Sequence, residues 1–158
     1  MDLCINVENY KLNIRATGII IHNNKLLVHR DINLDHYALM GGRIAIGESS
    51  EETVKREFNE EIGKEVEIIG YVGTVENFFE IDSQKYHEII FIYQLEFVDE
   101  KDKKIEETLK NIEGHDYLQY EWLDLDKLED EPLKPEVIKT IIKNGKFPVH
   151  KINIDKKV

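Results

Sequence analysis

Three glutamates, Glu57, Glu60 and Glu61, are spaced i, i+3 and i+4 within a stretch whose pattern predicts a helix. This spacing gathers the carboxylates in one stripe, where each like-charged pair costs about 0.2–0.5 kcal/mol when exposed. A hard divalent cation such as Mg²⁺ removes the repulsion, because it binds oxygen ligands and typically shares its shell with substrate phosphates. The alternative is a solvated acidic face in a chain that is acidic throughout, and the triplet alone does not decide between them.

The residues around these glutamates favour the metal site. Gly41 and Gly42 let the backbone approach a ligand or ion without a Cβ in the way. Arg56 can hold a carboxylate with both prongs of its guanidinium group. The glycine pair and the arginine therefore favour a cation site over a plain acidic face.

The predicted helix has clear start and stop signals. Ser49, with Glu52 three residues later, has the capping-box pattern at the start. Gly63 ends the helix, because glycine enters the left-handed conformation at no steric cost. The apolar stripe that would face the core is formed by Val54, Phe58 and Ile62.

The stretch from Gly42 to Gly63 resembles the signature box of the Nudix hydrolases. It reads Gly42, five residues, Glu48, seven residues, then Arg56-Glu57-Phe58-x-Glu60-Glu61-x-Gly63, and every charged or glycine position fits. The departures lie at Lys64, where an aliphatic residue is usual, at Met40 in place of proline and at Ala45 in place of glutamate. None of these is a ligand position.

The resemblance implies a fold and a set of roles. The fold is α/β, a Nudix-like α/β/α sandwich around a mixed β-sheet. The implied metal ligands are the backbone carbonyl of Gly42 and the carboxylates of Glu57, Glu60 and Glu61. The implied catalytic residues are Arg56, Glu57 and Glu60. Arg56 and Glu48 match the pair that braces the site, next to the ligands themselves.

Two carboxylates outside the box are also candidates. In mutator-type members of the family, a glutamate from a late loop, just before a Glu-Trp strand, joins the metal site. Glu113, ahead of Glu121-Trp122, looks like that position, so the resemblance implies an accessory metal ligand or catalytic base there. An ordinary loop glutamate is the alternative. Glu88, at the start of a strand, is interpreted as a paired structural carboxylate, with an accessory ligand as the alternative.

The implied activity is hydrolysis of a nucleoside diphosphate linked to another moiety, by water attack on phosphorus, with Mg²⁺ or Mn²⁺ as cofactor. A nucleoside triphosphate or a damaged nucleotide is favoured, by elimination only. ADP-ribose, a nucleotide sugar or a dinucleoside polyphosphate is the alternative substrate. A non-catalytic nucleotide-sensing module is the alternative of another class; such modules usually lose box glutamates, and this chain keeps them all.

Four residues are candidate substrate contacts: Arg15, Arg30, Arg43 and Tyr37. Arginine geometry suits phosphate groups, and Arg15 and Arg30 fall near the ends of predicted strands. Tyr37 could stack on a base. Plain surface charge and a half-buried strand tyrosine are the alternatives.

Composition bounds the class of protein. The 158 residues suit one domain, 1–158, in which residues 146–158 are expected as an edge strand or an extended C-terminal tail. The net charge of −11 argues against long nucleic acid and RNA-directed decapping, because such partners need a basic surface. The only cysteine is Cys4, so a reducing, cytoplasmic setting is the simplest. No signal peptide or membrane segment is expected, and a homodimer remains open.

The remaining pattern predicts strands around one central helix and a second helix late in the chain. Asn23-Asn24 and residues 81–84 are expected as tight turns, with bends at Gly70 and Gly73. A dense charge run at 99–110 is expected as an exposed loop or short helix. Pro135 and Gly145 are expected to bracket the second helix. The expected strands are 14–22, 25–30, 37–39, 66–79, 86–98 and 117–123.

Overall fold

The computed structural model of the chain describes residues 1–104 and 108–155. The described residues form nine β-strands and two α-helices, in the order β1 (Cys4–Val7), β2 (Tyr10–Ile19), β3 (Ile21–His22), β4 (Lys25–Asp31), β5 (Gly41–Arg43), α1 (Ser50–Ile62), β6 (Val66–Ile81), β7 (Gln84–Phe97), β8 (Leu118–Asp124), α2 (Val137–Asn144) and β9 (Val149–Ile154). Short 3₁₀ helices cover Glu100–Lys103 and Leu125–Asp130.

The main sheet is mixed, as predicted. Its strand order is β1-β2-β7-β6-β9, and β5 pairs with β2 beside this path. The pairs β2–β7 and β6–β9 are parallel, and the other neighbours are antiparallel. The predicted edge strand at the end of the chain is thus β9, and residues 156–158 lie outside the described part.

The longest pairing joins β6 and β7 in a hairpin. Its turn residues, Asp82 and Ser83, both have positive φ, which matches the right-handed twist of the flanking strands. Register shifts fall next to Gly70 and Gly73, so the predicted irregularities are confirmed.

A smaller sheet, in the order β3-β4-β8, completes the β structure. The turn between β3 and β4 is Asn23-Asn24, and both residues have positive φ, as the predicted tight turn requires. The strand expected at 37–39 is not regular: Tyr37 and Ala38 make single bridges only, and the strand that follows is β5.

The core has two parts, one on each face of the main sheet. The first joins α1 to the sheet through Val54, Phe58 and Ile62, which pack with Leu95 and other residues of β2 and β7. In the second, residues of α2 and of both sheets pack together, including Leu26, Val28, Val75, Ile90, Ile92, Ile138 and Ile141. The helices therefore cover opposite faces, and the predicted α/β/α arrangement is confirmed.

Two local expectations differ from the structure. Helix α2 begins at Val137 after Glu136, rather than at Pro135, because the turn that follows Pro135 is closed by i→i−3 hydrogen bonds, from Ile138 to Pro135 and from Lys139 to Glu136. In the charge run, Asp102 is buried rather than exposed, and its carboxylate accepts a 2.6 Å hydrogen bond from Lys64. Residues 105–107 of the same run lie outside the described part.

Candidate active site

The glutamates of the box lie on α1, whose ends form as the local signals predict. Ser49 and Glu52 make a complete capping box, and Gly63 ends the helix in the left-handed conformation, with φ 66°. Strand β5 brings the glycine pair alongside this helix. A Cβ added at Gly42 would overlap the Glu57 carboxyl group, so only glycine allows this approach of backbone to carboxylate.

Arg56 is the charged centre of the box. Its Nε and Nη2 donate to the two oxygens of Glu48 at 2.7 and 2.9 Å, which is the two-pronged contact expected from the sequence. Its Nη1 donates to Glu57 at 2.8 Å and to Glu60 at 2.9 Å. Arg56 therefore connects Glu57 and Glu60, two of the expected metal ligands, to Glu48.

Glu48 is held as a carboxylate by its neighbours. The hydrogen bond from Arg56 is the main reason that the Glu48 pKa falls from 4.5 to about 2. The hydroxyl of Thr53 donates to the same carboxylate at 2.7 Å, and the backbone N–H of Ala45 adds a third contact. Glu48 thus anchors Arg56 in one orientation.

The electrostatics of Glu57 differ from those of Glu48. Burial raises the Glu57 pKa above its ordinary value, against the opposing effect of Arg56, and Glu61 and Glu60 raise the pKa further through their negative charge. A bound cation would reverse this trend, because it stabilises the ionised form.

Glu61 lies deepest of the three glutamates and is 6% exposed. The hydroxyl of Tyr120, on β8, donates to Glu61 Oε2 at 3.1 Å, and His29 Nδ1 lies 3.7 Å from the same oxygen. Within the described part of the chain, Glu61 has no Lys or Arg partner. Buried carboxylates are usually paired with a cation or coordinate a metal, so this one lacks the partner that a metal would supply.

The residues present fit a hard divalent cation. The side chains of Glu57, Glu60 and Glu61 offer only oxygen ligands, which suit Mg²⁺ and Mn²⁺. Gly42, which has no Cβ, lies directly against Glu57. Among the described residues, no group of three or more His, Cys, Asp or Glu side chains stands ready-made around an ion position. Arg56 instead supplies the positive charge that Glu57 and Glu60 share.

Glu113, the expected accessory residue, lies on an exposed loop close to this network. Its backbone N–H donates to Asn111 Oδ1 at 2.9 Å, and Asn111 Nδ2 donates to the Tyr120 hydroxyl at 3.0 Å. Burial raises the Tyr120 pKa, and the negative charges of Glu61 and Glu113 add to that rise. The loop is therefore held near Glu61 by hydrogen bonds.

The four candidate substrate contacts form two pairs: Arg15 and Arg43 are strand partners, and Arg30 lies over Tyr37. The ring of Tyr37 lies under the Arg30 guanidinium group at 5.3 Å, and its hydroxyl donates to Glu121 at 2.6 Å. The Arg43 side chain lies 3.9 Å from Asp2. Of the four, only Arg15 lines the cavity beside the main sheet.

That cavity, of about 180 Å³, lies on the α2 side of the main sheet. Arg15, Thr17, Glu88 and Ile90 are among the residues that line it, together with Phe79 and Ile138. Thr17, in the lining of the cavity, is the strand partner of Gly41. Thr17 Oγ1 and Arg15 Nε are buried without a hydrogen-bond partner among the described residues.

A row of buried polar side chains crosses the main sheet, and two of its members, Glu88 and Asn77, line the cavity. Asn13, Glu88, Asn77 and Asn153 are aligned on four neighbouring strands. Asn13 and Asn77 each donate to Glu88, at 3.3 and 3.2 Å, and Asn153 donates to Asn77 at 2.8 Å. The Arg15 Nη1 atom lies 3.6 Å from Glu88. We refer to Asn13, Glu88, Asn77 and Asn153 as the polar row.

Sequence reasoning did not find Tyr120, Asn111 or the asparagines of the polar row. The available signal was an asparagine at an inward position of a strand, as at Asn77 between the alternating residues of β6. The alternating pattern predicts that such a polar residue is buried. It does not identify the hydrogen-bond partners, because they lie on strands that are distant in the sequence.

Comparison with known proteins decides the family. The model of the NUDIX domain matches residues 12–143. The chain belongs to the Nudix family. The family predicted from the box is thereby confirmed, and members of this Nudix family typically use a divalent metal ion.

A curated relative of this Nudix protein is an RNA pyrophosphohydrolase of Ruthia magnifica subsp. Calyptogena magnifica, 34% identical over 85 residues. The match covers 52% of this chain and 46% of the relative, so the chain spans less than half the length of that protein.

Solved structures share the fold. A MutT Nudix hydrolase from Burkholderia pseudomallei is 21% identical with a TM-score of 0.63, and the match covers 83% of this chain and 96% of that one. An ADP-ribose pyrophosphatase from Streptococcus suis is 15% identical with a TM-score of 0.52, over 89% and 98% of the two chains. A protein named as a MutT Nudix hydrolase and one named as an ADP-ribose pyrophosphatase thus share this Nudix fold, and the fold does not decide the substrate. Among residues 1–104 and 108–155, no helix has the length and apolar character needed to cross a bilayer.

Proposed function

We propose that this Nudix protein hydrolyses a nucleoside triphosphate, including one with a damaged base, in a reaction that requires Mg²⁺ or Mn²⁺. The observation that carries the proposal is the arrangement of the box: Glu57 packed against Gly42, Arg56 bonded to Glu57 and Glu60, and Glu61 buried with no Lys or Arg partner among the described residues.

The box residues have distinct roles in this proposal. Glu57, Glu60, Glu61 and the Gly42 carbonyl would hold the metal. The metal, when bound, supplies charge neutralisation at the phosphates and an activated water. Arg56 keeps Glu57 and Glu60 oriented, and Glu48 keeps Arg56 in place.

The reaction exchanges one bond to phosphorus for another. The oxygen of water forms a bond to phosphorus, the bridging P–O bond breaks, and the leaving phosphate group departs with the bonding electrons. Glu113 is the proposed acceptor of the water proton, because its loop is fastened next to Glu61 and its carboxylate is exposed.

The cavity supports a nucleotide as the substrate. At about 180 Å³ it is smaller than the 300–1,000 Å³ typical of a pocket for a whole drug-sized ligand, so it suits one ring system. Phe79 and Ile90 offer apolar surface, and the side chains of Thr17 and Arg15 bring polar groups to the lining, which suits the edge of a base. One wall of the cavity belongs to β2, where Thr17 is the strand partner of Gly41.

A second candidate is hydrolysis at the triphosphate end of RNA. It is favoured by the similarity to a relative named as an RNA pyrophosphohydrolase. The net charge of −11 opposes it, because a long RNA needs basic surface along its backbone.

A substrate screen with metal control tests both candidates. Nucleoside triphosphates, oxidised triphosphates, ADP-ribose, a nucleotide sugar, a dinucleoside polyphosphate and a 5′-triphosphorylated RNA are each incubated with Mg²⁺, and released phosphate products are measured. We expect turnover of a triphosphate that stops in excess chelator and returns on adding Mg²⁺ or Mn²⁺. Full activity in chelator would overturn the metal mechanism, and turnover of RNA alone would favour the second candidate.

A further inference from the structure

The loop that carries Glu113 is fastened to the C-terminal end of α1 by two kinds of contact. The backbone N–H of Ile112 donates to the backbone carbonyl of Glu61 at 2.8 Å. The Ile112 side chain also lies over Gly63, where a Cβ would come within 3.2 Å of it. The backbone of this loop is thus bonded directly to an expected metal ligand.

Asn111 makes the second connection through its side chain. Its Oδ1 accepts hydrogen bonds from the N–H groups of Glu113 and His115, at 2.9 and 3.0 Å, which closes the turn around Glu113. Its Nδ2 donates to the Tyr120 hydroxyl, which in turn donates to Glu61. One amide therefore joins the turn of Glu113 to the carboxylate of Glu61.

The contact of Tyr120 with Glu61 is one-sided. Both Tyr120 and His29 face Oε2, whereas Oε1 of the same carboxylate has no hydrogen-bond or ion-pair partner among the described residues. A carboxylate fixed by one oxygen presents the other in a constant direction, and hydrogen bonds of this kind behind a ligand commonly govern its affinity for metal.

We propose that Asn111 and Tyr120 are positioning residues of the metal site. They hold Glu61 with one oxygen free for the metal and hold Glu113 at a fixed distance from it. The inference rests on the proposed function, because it concerns the same metal site. It goes further by naming two residues outside the box, on the 111–115 loop and on β8, that set metal affinity.

The test measures Mn²⁺ binding without any nucleotide, by calorimetry and by electron paramagnetic resonance of the free ion. Tyr120→Phe removes only the hydroxyl and keeps the ring in the core. We expect its Mn²⁺ affinity to fall about 10–100-fold, the usual effect of losing a partner behind a metal ligand. Asn111→Ala is the second variant and should lower the affinity in the same direction.

Tyr117→Phe is the matched control, since Tyr117 is an exposed tyrosine of the same region whose ring stacks on His115. Its Mn²⁺ affinity should equal that of the wild type. Thermal melts of every variant check that the fold is retained. In kinetic assays, Tyr120→Phe should raise the Mg²⁺ concentration needed for half activity and leave the KM for nucleotide unchanged.

A double-mutant cycle shows whether Tyr120 acts through Glu61. In a Glu61→Gln background, Tyr120→Phe should cause little further loss of Mn²⁺ affinity. A full additional loss there, or unchanged affinity in both Tyr120→Phe and Asn111→Ala, would overturn this inference alone. A wild-type protein that binds no Mn²⁺ would overturn the proposed function and this inference together.

Discussion

Arg56 determines the charge balance of the site, because one guanidinium group bonds Glu48, Glu57 and Glu60 at 2.7–2.9 Å. Without a metal, that single positive charge faces the carboxylates of α1. The site is therefore held in shape before a cation arrives, while its net charge stays negative. Such a site would attract divalent cations, and it would repel the phosphates of a substrate until a cation is bound.

Glu57→Gln and Glu60→Gln should each lower kcat by about a hundredfold or more, because a weakened metal site loses several kcal/mol of transition-state stabilisation. Neither change should unfold the protein. For Glu57→Gln we expect an equal or higher melting temperature without metal, since burial already disfavours the charge there. Assays at saturating Mg²⁺ check the rates, with Glu51→Gln, an exposed residue of the same helix, as control. Wild-type turnover in both variants would remove these residues from the mechanism.

Glu48 should make the free energy of unfolding depend on pH. Its pKa is 4.5 in the ordinary state and about 2 in the fold, so the unfolded chain takes up this proton first as the pH falls. The stability that Glu48 contributes is present above about pH 4.5 and is lost between 4.5 and 2. Glu48→Gln should therefore lose less unfolding free energy than the wild type across this window. Urea titrations at pH 6 and pH 2.5 measure the difference, and equal losses would contradict the assignment.

Residues of the box could be predicted from the sequence because their spacing is local and their chemistry is shared by a whole family. Tyr120 and Asn111 could not, because their relation to Glu61 depends on how β8 and the loop before it pack against α1. The same limit applies to Arg15, whose contact with Glu88 requires the parallel pairing of β2 with β7. Side-chain contacts that depend on long-range packing are difficult to predict from a single sequence.

At the scale of elements, α1 was predictable to its ends. Its start depends on Ser49 and Glu52, its end on Gly63, and both signals act within four residues. The start of α2 was less predictable because the chain after Pro135 first makes a tighter turn, closed by hydrogen bonds from Ile138 to Pro135 and from Lys139 to Glu136. A proline signals the start of either kind of turn, so it does not fix the first residue of the α-helix.

Gly63→Ala should destabilise the protein by about 1–2 kcal/mol, because a Cβ is costly in the left-handed conformation. The new Cβ would also come close to Ile112, which holds the loop of Glu113. Gly70→Ala is the matched control, since a Cβ there meets Gln94 at an ordinary 3.6 Å. Unfolding free energies from urea titration compare the two. An equal effect at both glycines would argue against the role of Gly63 as the helix cap.

At the scale of the whole molecule, the two carboxylates outside the box have different surroundings. Glu88 is 6% exposed and accepts hydrogen bonds from two asparagines, whereas Glu113 is exposed on its loop. Glu88→Gln should therefore cost mainly stability, about 1–3 kcal/mol for disturbing a buried polar group. Glu113→Gln should cost mainly kcat and leave the melting temperature nearly unchanged.

Thermal melts and pH–rate profiles of both variants separate these roles. If Glu88→Gln abolished the rate with an unchanged melt, and Glu113→Gln had no effect, the roles would be reversed. Glu88 would then be the better candidate for the catalytic base.

The polar row also discriminates between alternative strand alignments. A slip of one residue turns every side chain to the other face and is rejected by the apolar pattern alone. A slip of two residues keeps the faces correct, so that pattern does not detect it. It would, however, move Asn77 away from Glu88 and bring Val75 or Phe79 opposite a buried carboxylate. The four aligned polar residues thus disfavour the two-residue slips that hydrophobic alternation permits, from β2 across to β9.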